Sequence, residues 1–117
     1  MIDSKEMTKL AITALEDKKA EDIRVIDISE VSVLADYFII ANGTNRSQIQ
    51  AMTDNVEEFL GRAGCSVKQI EGYDSANWVL MDFKDIIVHI FDKDNRLFYN
   101  LERIWRDGKA LELSDFQ

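Results

Sequence analysis

Three stretches of the chain carry apolar residues at helical spacing, separated by polar positions. The first predicts an amphipathic helix over residues 4–20 with Ser4 as its N-cap. The second predicts a helix that begins at Asn45 and stops at Gly64, and the third a helix over residues 95–106. The apolar positions of the three stripes are Met7, Leu10, Ala11, Ala14 and Leu15, then Ile49, Met52, Val56, Phe59 or Leu60, and Ala63, then Leu97, Leu101, Ile104 and Trp105.

Short β-branched or continuously apolar runs lie between these stretches and are typical of strands. They predict strands over residues 23–28, 36–41, 67–70, 78–82 and 86–91. The element order is α-β-β-α-β-β-β-α, and the fold class is α/β, a single domain with a mixed β-sheet and packed helices. We expect the domain to span residues 1–108, followed by a C-terminal tail over residues 109–117 whose order the pattern leaves open.

The last two strands form a predicted hairpin that carries the one histidine of the chain. A reversal at Phe83-Lys84 would give three cross-strand pairs on one face, namely Trp78 with His89, Leu80 with Ile87 and Asp82 with Asp85. The other face is wholly aliphatic and should lie under helices. Two interpretations of the first face stay open: a covered core pair of indole and imidazole, or an interface patch for a partner.

Composition and charge narrow the classes of function. The chain has 117 residues, of which 46% are hydrophobic and 31% charged, and its formal net charge is −8. This charge repels phosphate and predicts no direct nucleic-acid binding, whereas a basic protein surface would attract the chain. No apolar run approaches the roughly 18 residues of a membrane span, and the N-terminus lacks the apolar core of a signal peptide. We expect a cytoplasmic protein.

The residues give little support to catalysis or metal binding. Cys65 is alone, which excludes an intramolecular disulfide, and its distance from His89 gives no zinc-ligand spacing. The turn at Gly43-Thr44, between a strand and a helix, could hold phosphate as nucleotidyltransferase turns do. Those enzymes need paired metal-binding acids on the following strand, and SVKQIEG has none. The sequence therefore predicts no enzyme activity, no cofactor and no metal.

Three ordered blocks of the sequence resemble the ribosomal silencing factor family, also called Iojap-like. They are ADYFIIANGTNRSQIQA, EGYDSANWVLMDFKDIIVHIF and RLFYNLERIWRD, within a match that runs from about Leu10 to Asp107. Phe83-Lys84 before Asp85 departs from the family, which commonly has a glycine there, and this leaves the geometry of the hairpin turn open.

The resemblance implies an adaptor with a nucleotidyltransferase-like fold and no active site. It implies binding to protein fourteen of the large ribosomal subunit, and thereby steric exclusion of the small subunit and lower translation under nutrient limitation. It also implies a role in large-subunit biogenesis. A degenerate nucleotidyl-transferring enzyme and a homodimeric module for another basic protein stay open as alternatives.

Partner-binding residues follow from the resemblance position by position. Trp78 is the expected anchor, with Leu80 beside it, Asp82 at the edge and His89 across from it. The other expected contacts are Tyr73 and Asp74 in the adjoining loop and Tyr99 in the last predicted helix. For Asp36 and Tyr37, a role in strand structure is favoured.

Overall fold

A computed structural model describes residues 2–30, 32–33, 35–93 and 109–116 of the chain. Within these ranges two α-helices lie at α1 Ser4–Asp17 and α2 Arg46–Arg62. The strands are β1 Glu21–Asp27, β2 Tyr37–Gly43, β3 Gln69–Glu71, β4 Trp78–Asp82, β5 Ile86–Asp92 and β6 Lys109–Leu111, and a 3-10 turn covers Leu113–Phe116. The helix predicted over residues 95–106 lies outside the described residues.

The described strands form one mixed sheet in the order β3-β4-β5-β2-β1-β6. β2 and β5 run parallel, and every other neighbouring pair is antiparallel. This arrangement confirms the predicted α/β class with a mixed sheet. β6 lies in the tail, whose order the sequence leaves open, and pairs with β1. No described helix is both long and apolar enough to cross a membrane.

Both helices pack on one face of the sheet and bury its aliphatic side chains. Met7, Ala11 and Leu15 of α1 share a core with residues of α2. The sheet residues of that core include the predicted aliphatic set Val79, Met81, Ile86, Val88 and Ile90. Asn55 joins the two helices, because its buried side-chain amide donates to the Ala14 carbonyl oxygen at 2.8 Å. The aliphatic side of the hairpin therefore lies under helices, as predicted.

The opposite face of the sheet carries a second core. Among the described residues its buried members are Ile26, Ile28, Ala35, Ile40 and Phe91. β2 contributes to both cores, through Ile39 and Ala41 on the helix side and Ile40 on the other. The prediction that this strand is central and buried on both faces is confirmed.

The ends of the helices show where local capping was predicted correctly and where it was not. Asp3, not Ser4, is the N-cap of α1, since its carboxylate accepts the Glu6 backbone N–H at 2.9 Å. Asn45, where the second helix was predicted to begin, is the N-cap of α2 and accepts the Gln48 N–H at 2.8 Å. Gly64 follows α2 with a φ of +88°, the left-handed conformation that ends many helices.

Candidate functional site

The face of the sheet opposite the helices presents a set of partly exposed side chains, which we call the sheet patch. Its members come from three adjacent strands: Phe38 on β2, Trp78, Leu80 and Asp82 on β4, and Ile87 on β5. Phe38 lies beside Ile87 in the parallel register, and Asp82 lies opposite Ile87 in the antiparallel one. The patch therefore places an aromatic and aliphatic surface beside one carboxylate.

The register of the hairpin differs from the predicted one by two residues. Trp78 lies opposite Phe91 and Leu80 opposite His89, so the predicted pairing of Trp78 with His89 is wrong. Asp82 likewise faces Ile87 and not Asp85. The cause is a turn that lies one residue further along the chain, at Lys84-Asp85, where the Phe83 N–H donates to the Ile86 carbonyl oxygen at 3.0 Å. A shift of two residues keeps every side chain on its predicted face, because side chains alternate with a period of two.

Trp78 and His89 still meet, along the diagonal between the two strands. The Trp78 indole N–H donates to His89 Nδ1 at 3.0 Å, and the indole stacks on Phe91 with ring centroids 5.4 Å apart. The His89 ring lies edge-on to Phe38 at 4.8 Å. Sequence reasoning missed Phe38 and Phe91 as members of this aromatic group. Alternation along β5 places Phe91 on the same face as His89 and is the signal that could have found Phe91, whereas Phe38 joins the group through the pairing of β2 with β5.

His89 is almost completely buried, with 3% of its surface exposed. Burial lowers the pKa of its imidazole to about 4, because the low-dielectric surroundings disfavour the charged form. The ring is therefore neutral at physiological pH. It contributes to the site through its hydrogen bond and its ring contacts, and the described residues place no nucleophile in hydrogen-bond contact with it.

Asp82 stands at the end of the sheet patch with part of its carboxylate already engaged. One oxygen accepts the Lys84 backbone N–H at 2.8 Å and so supports a turn in which Lys84 has a φ of +76°. The adjacent edge strand β3 places Gln69 beside Asp82 and Glu71 beside Leu80. Both β3 side chains are exposed, and Glu71 adds a second carboxylate to the border of the patch.

The loop over residues 72–77 is held against α2. The Tyr73 hydroxyl donates to Asp54 at 3.1 Å, and the Gln50 side-chain amide donates to the Tyr73 carbonyl oxygen at 3.0 Å. Partial burial raises the pKa of the Tyr73 hydroxyl, and the hydrogen bond to Asp54 and the nearby carboxylates of Asp74 and Glu57 add to this effect. Tyr73 and Asp74 were predicted to adjoin Trp78, and the structure directs the Tyr73 side chain toward the helix layer.

Gly72 connects this loop to the start of β4. Its φ is +78°, and a Cβ atom there would lie 2.1 Å from the Trp78 carbonyl oxygen. The Ala76 N–H donates to the Gly72 carbonyl oxygen at 3.0 Å. The close approach of backbone to backbone requires glycine and places the loop directly on the Trp78 peptide.

In the turn between β2 and α2, backbone N–H groups donate to side-chain oxygens of the same segment. The Thr44 N–H donates to Gln48 Oε1 at 2.7 Å, and Asn45 accepts the Gln48 N–H. The Gln48 amide in turn donates to the carbonyl oxygens of Lys18 and Lys19 at the end of α1, both at 3.1 Å. The backbone N–H groups of Thr44 and Gln48 would face a phosphate in a nucleotide-binding turn. Both therefore already have hydrogen-bond partners within this protein.

Other predicted residues contribute less to the site. Tyr99 lies outside the described residues. Tyr37 packs edge-on against Phe116 at 5.8 Å, which agrees with a role in strand structure. Among the described residues no three acids, histidines or cysteines are grouped as metal ligands.

Comparison with known proteins relates this geometry to a family. The family model described as "Ribosomal silencing factor during starvation" matches residues 1–117. Two proteins named ribosomal silencing factor RsfS are similar: that of Bacillus subtilis is 41% identical over 96% of this chain and 95% of its own, and that of Halalkalibacterium halodurans is 39% identical over 94% of each. These relatives are named as silencing factors and not as enzymes.

A solved structure and an organelle relative extend the comparison. A crystal structure of a Chromobacterium violaceum protein matches with a TM-score of 0.86 and 36% identity, covering 90% of this chain and 88% of that one. A mouse protein named "Mitochondrial assembly of ribosomal large subunit protein 1" is 28% identical over 82% of this chain and 43% of its own length.

Proposed function

The chain belongs to the ribosomal silencing factor family, and from this premise we propose that it binds protein fourteen of the large ribosomal subunit and blocks association with the small subunit. In this proposal the bound protein occupies part of the joining surface and excludes the small subunit by steric overlap. The result is lower translation under nutrient limitation in the cytoplasm. A role in large-subunit biogenesis belongs to the same proposal, and the name of the mouse relative supports it.

The observation that supports the proposal most is the sheet patch. Trp78, Phe38 and Leu80 are only partly buried, and the described helices cover the opposite face. Tryptophan in a well-packed setting is the residue type most enriched among interface hot spots. The stacking of Trp78 on Phe91 provides that setting. We propose Trp78 as the anchor, with Leu80 beside it and Asp82 at the rim.

Charge supports a basic partner. The net charge is −8, and Glu71 and Asp82 border the patch. Asp54, Glu57 and Asp74 add exposed carboxylates around the loop at Tyr73. We propose Tyr73 and Asp74 as peripheral contacts, with Tyr99 retained from the resemblance. Ribosomal proteins are generally basic, so acidic groups around an apolar centre would accelerate the encounter and orient it.

The alternatives to this proposal are a nucleotidyl-transferring enzyme and a homodimeric module, and a hydrogen bond in the structure argues against the first. A phosphate at the turn between β2 and α2 would have to displace the bond from Thr44 to Gln48, which argues against a nucleotidyl-transferring enzyme. A nucleotide titration with magnesium decides whether the protein is such an enzyme, and turnover that is lost in Asp82→Asn or Asp85→Asn would establish it.

A homodimer through the sheet patch is the other alternative, because the same apolar surface could pair with a second copy.

Sedimentation with separated ribosomal subunits tests the proposal. We expect the protein in the large-subunit fraction, absent from the small-subunit fraction, with no binding to free ribosomal RNA at physiological salt. The association rate should fall as salt rises, because charges are screened within about 8 Å at 0.15 M. Tight binding to naked RNA, or sedimentation with neither subunit, would contradict the proposal.

Substitutions on the two faces of the sheet locate the contact. Trp78→Ala should weaken large-subunit binding by ~2 kcal/mol or more, roughly thirtyfold in affinity. Leu80→Ala is the companion on the same face. Val88→Ala, on the buried helix side, should lower the melting temperature while its folded fraction binds normally. A Trp78→Ala protein that binds like the wild type once folded would remove Trp78 as the anchor.

A further inference from the structure

His89 is buried beside the partly exposed Trp78 indole and accepts a hydrogen bond from it. The hydrogen bond from Trp78 Nε1 to His89 Nδ1 is 3.0 Å long and runs diagonally between β4 and β5. An indole nitrogen only donates, so His89 Nδ1 must be the acceptor, and the imidazole proton resides on Nε2. The hydrogen bond thus selects one tautomer of the histidine.

The imidazole itself is held by rings. Phe38 meets it edge-on at 4.8 Å, and Phe91 lies parallel to it with centroids 6.1 Å apart. The indole stacks on the same Phe91 ring. His89 and Trp78 therefore belong to one aromatic group, of which His89 is the buried member and Trp78 is partly exposed.

A histidine at this buried position lowers the free energy of unfolding relative to an apolar residue. His89 Nε2 is buried and has no hydrogen-bond partner among the described residues. A buried donor without an acceptor opposes folding, whereas an apolar side chain of similar shape would leave nothing unpaired. Packing alone would be served better by a phenylalanine or a leucine. What histidine adds is the acceptor for the indole N–H.

We infer that His89 is a positioning residue that fixes the orientation of the Trp78 indole on the sheet patch before the partner binds. This inference rests on the proposed function, in which Trp78 is the anchor. An indole already fixed in its bound orientation loses less side-chain freedom on association, and the gain is roughly threefold to tenfold in affinity.

Three substitutions separate positioning from packing. His89→Phe keeps a planar ring between Phe38 and Phe91 and removes the acceptor. His89→Leu removes both the ring and the acceptor, and it takes the place of His89→Phe in the comparison if that variant does not fold. His89→Asn keeps a side-chain carbonyl oxygen at the place of Nδ1 and leaves a cavity where the rest of the ring was.

The first measurement needs no partner. The indole N–H of Trp78 is followed by ¹H–¹⁵N NMR and assigned by its loss in Trp78→Phe. We expect faster exchange of this proton with water in His89→Phe and His89→Leu, and protection retained in His89→Asn. Equal protection in all three variants would overturn the inference, whatever the protein binds.

The second measurement is large-subunit binding by the same folded variants. A packing role predicts that His89→Phe binds better than His89→Asn, because it is the more stable protein. The positioning role predicts the reverse order, with His89→Phe weakened roughly threefold to tenfold and His89→Asn close to the wild type. If the wild type does not bind large subunits, the proposed function fails while the NMR comparison still decides the role of His89.

Discussion

The stability of the protein should depend on pH through His89 in a way that can be worked out from its burial. The folded imidazole has a pKa of about 4, against 6.5 for an unperturbed histidine. The unfolded chain therefore takes up a proton at a higher pH than the folded protein does. Between pH 6.5 and 4 the unfolded state binds more protons, and the free energy of unfolding falls as the pH falls.

The size of this effect follows from the two pKa values. Each unit of pKa difference corresponds to 1.36 kcal/mol, so the loss between pH 7 and pH 5 is roughly 2 kcal/mol. His89 is the only histidine, which isolates its titration in this range. The Asp27 carboxylate, whose pKa is lowered chiefly by hydrogen bonds from Ser29, should add a further loss in the same direction, mostly below pH 4.

Urea unfolding at pH 7, 6 and 5 measures the effect, with His89→Phe as the comparison because its ring does not titrate. We expect the difference in unfolding free energy between wild type and variant to change by roughly 2 kcal/mol between pH 7 and pH 5. Contributions from the carboxylates cancel in this difference. A difference that stays constant across the range would refute the reasoning, since it would mean that His89 is not buried as a neutral ring.

The remaining predictions concern three glycines, of which Gly64 is the control for Gly72. Gly72→Ala should destabilise the protein by roughly 3 kcal/mol or more, because the added Cβ would lie 2.1 Å from the Trp78 carbonyl oxygen. Gly64 also has a left-handed backbone conformation, but an added Cβ would meet nothing within 4 Å. Gly64→Ala should therefore cost only about 1–2 kcal/mol. Gly61→Ala in α2 should stabilise the protein by roughly 0.5–1 kcal/mol, because its Cβ meets nothing. Denaturant unfolding measures all three, and equal costs for Gly72→Ala and Gly64→Ala would contradict the close approach.

Most of the described fold could be predicted because each element has a strong local signal. The stripe of α1 and the continuous run of β2 identify their element types and the faces that they bury. The faces of the hairpin were also predictable, since alternation survives an error of two residues in register.

The hairpin register and strand β6 could not be predicted, because they depend on contacts that no local sequence pattern specifies. The hairpin register is set by a turn in which Lys84 adopts a left-handed conformation without being a glycine, so the usual turn signal is missing. β6 is a three-residue strand, Lys109–Leu111, too short to show a period. It is defined by its pairing with β1, a contact between distant parts of the chain.

The candidate site was predicted in its central residues and missed in its supporting ones. Trp78, Leu80 and Asp82 share a face because they alternate on one strand. Phe38 joins them through the parallel pairing of β2 with β5, which the sequence does not reveal. The hydrogen bond from Trp78 to His89 depends on the true register, in which the two residues are diagonal neighbours.

A subunit-joining assay tests the central claim most directly. Separated large and small subunits are mixed with increasing amounts of the protein under conditions that favour joining, and a sucrose gradient gives the fraction of joined ribosomes. We predict that this fraction falls as the protein saturates the large subunit, and that Trp78→Ala needs roughly thirtyfold more protein for the same effect. A joined fraction that stays constant while the protein sediments with the large subunit would contradict steric exclusion.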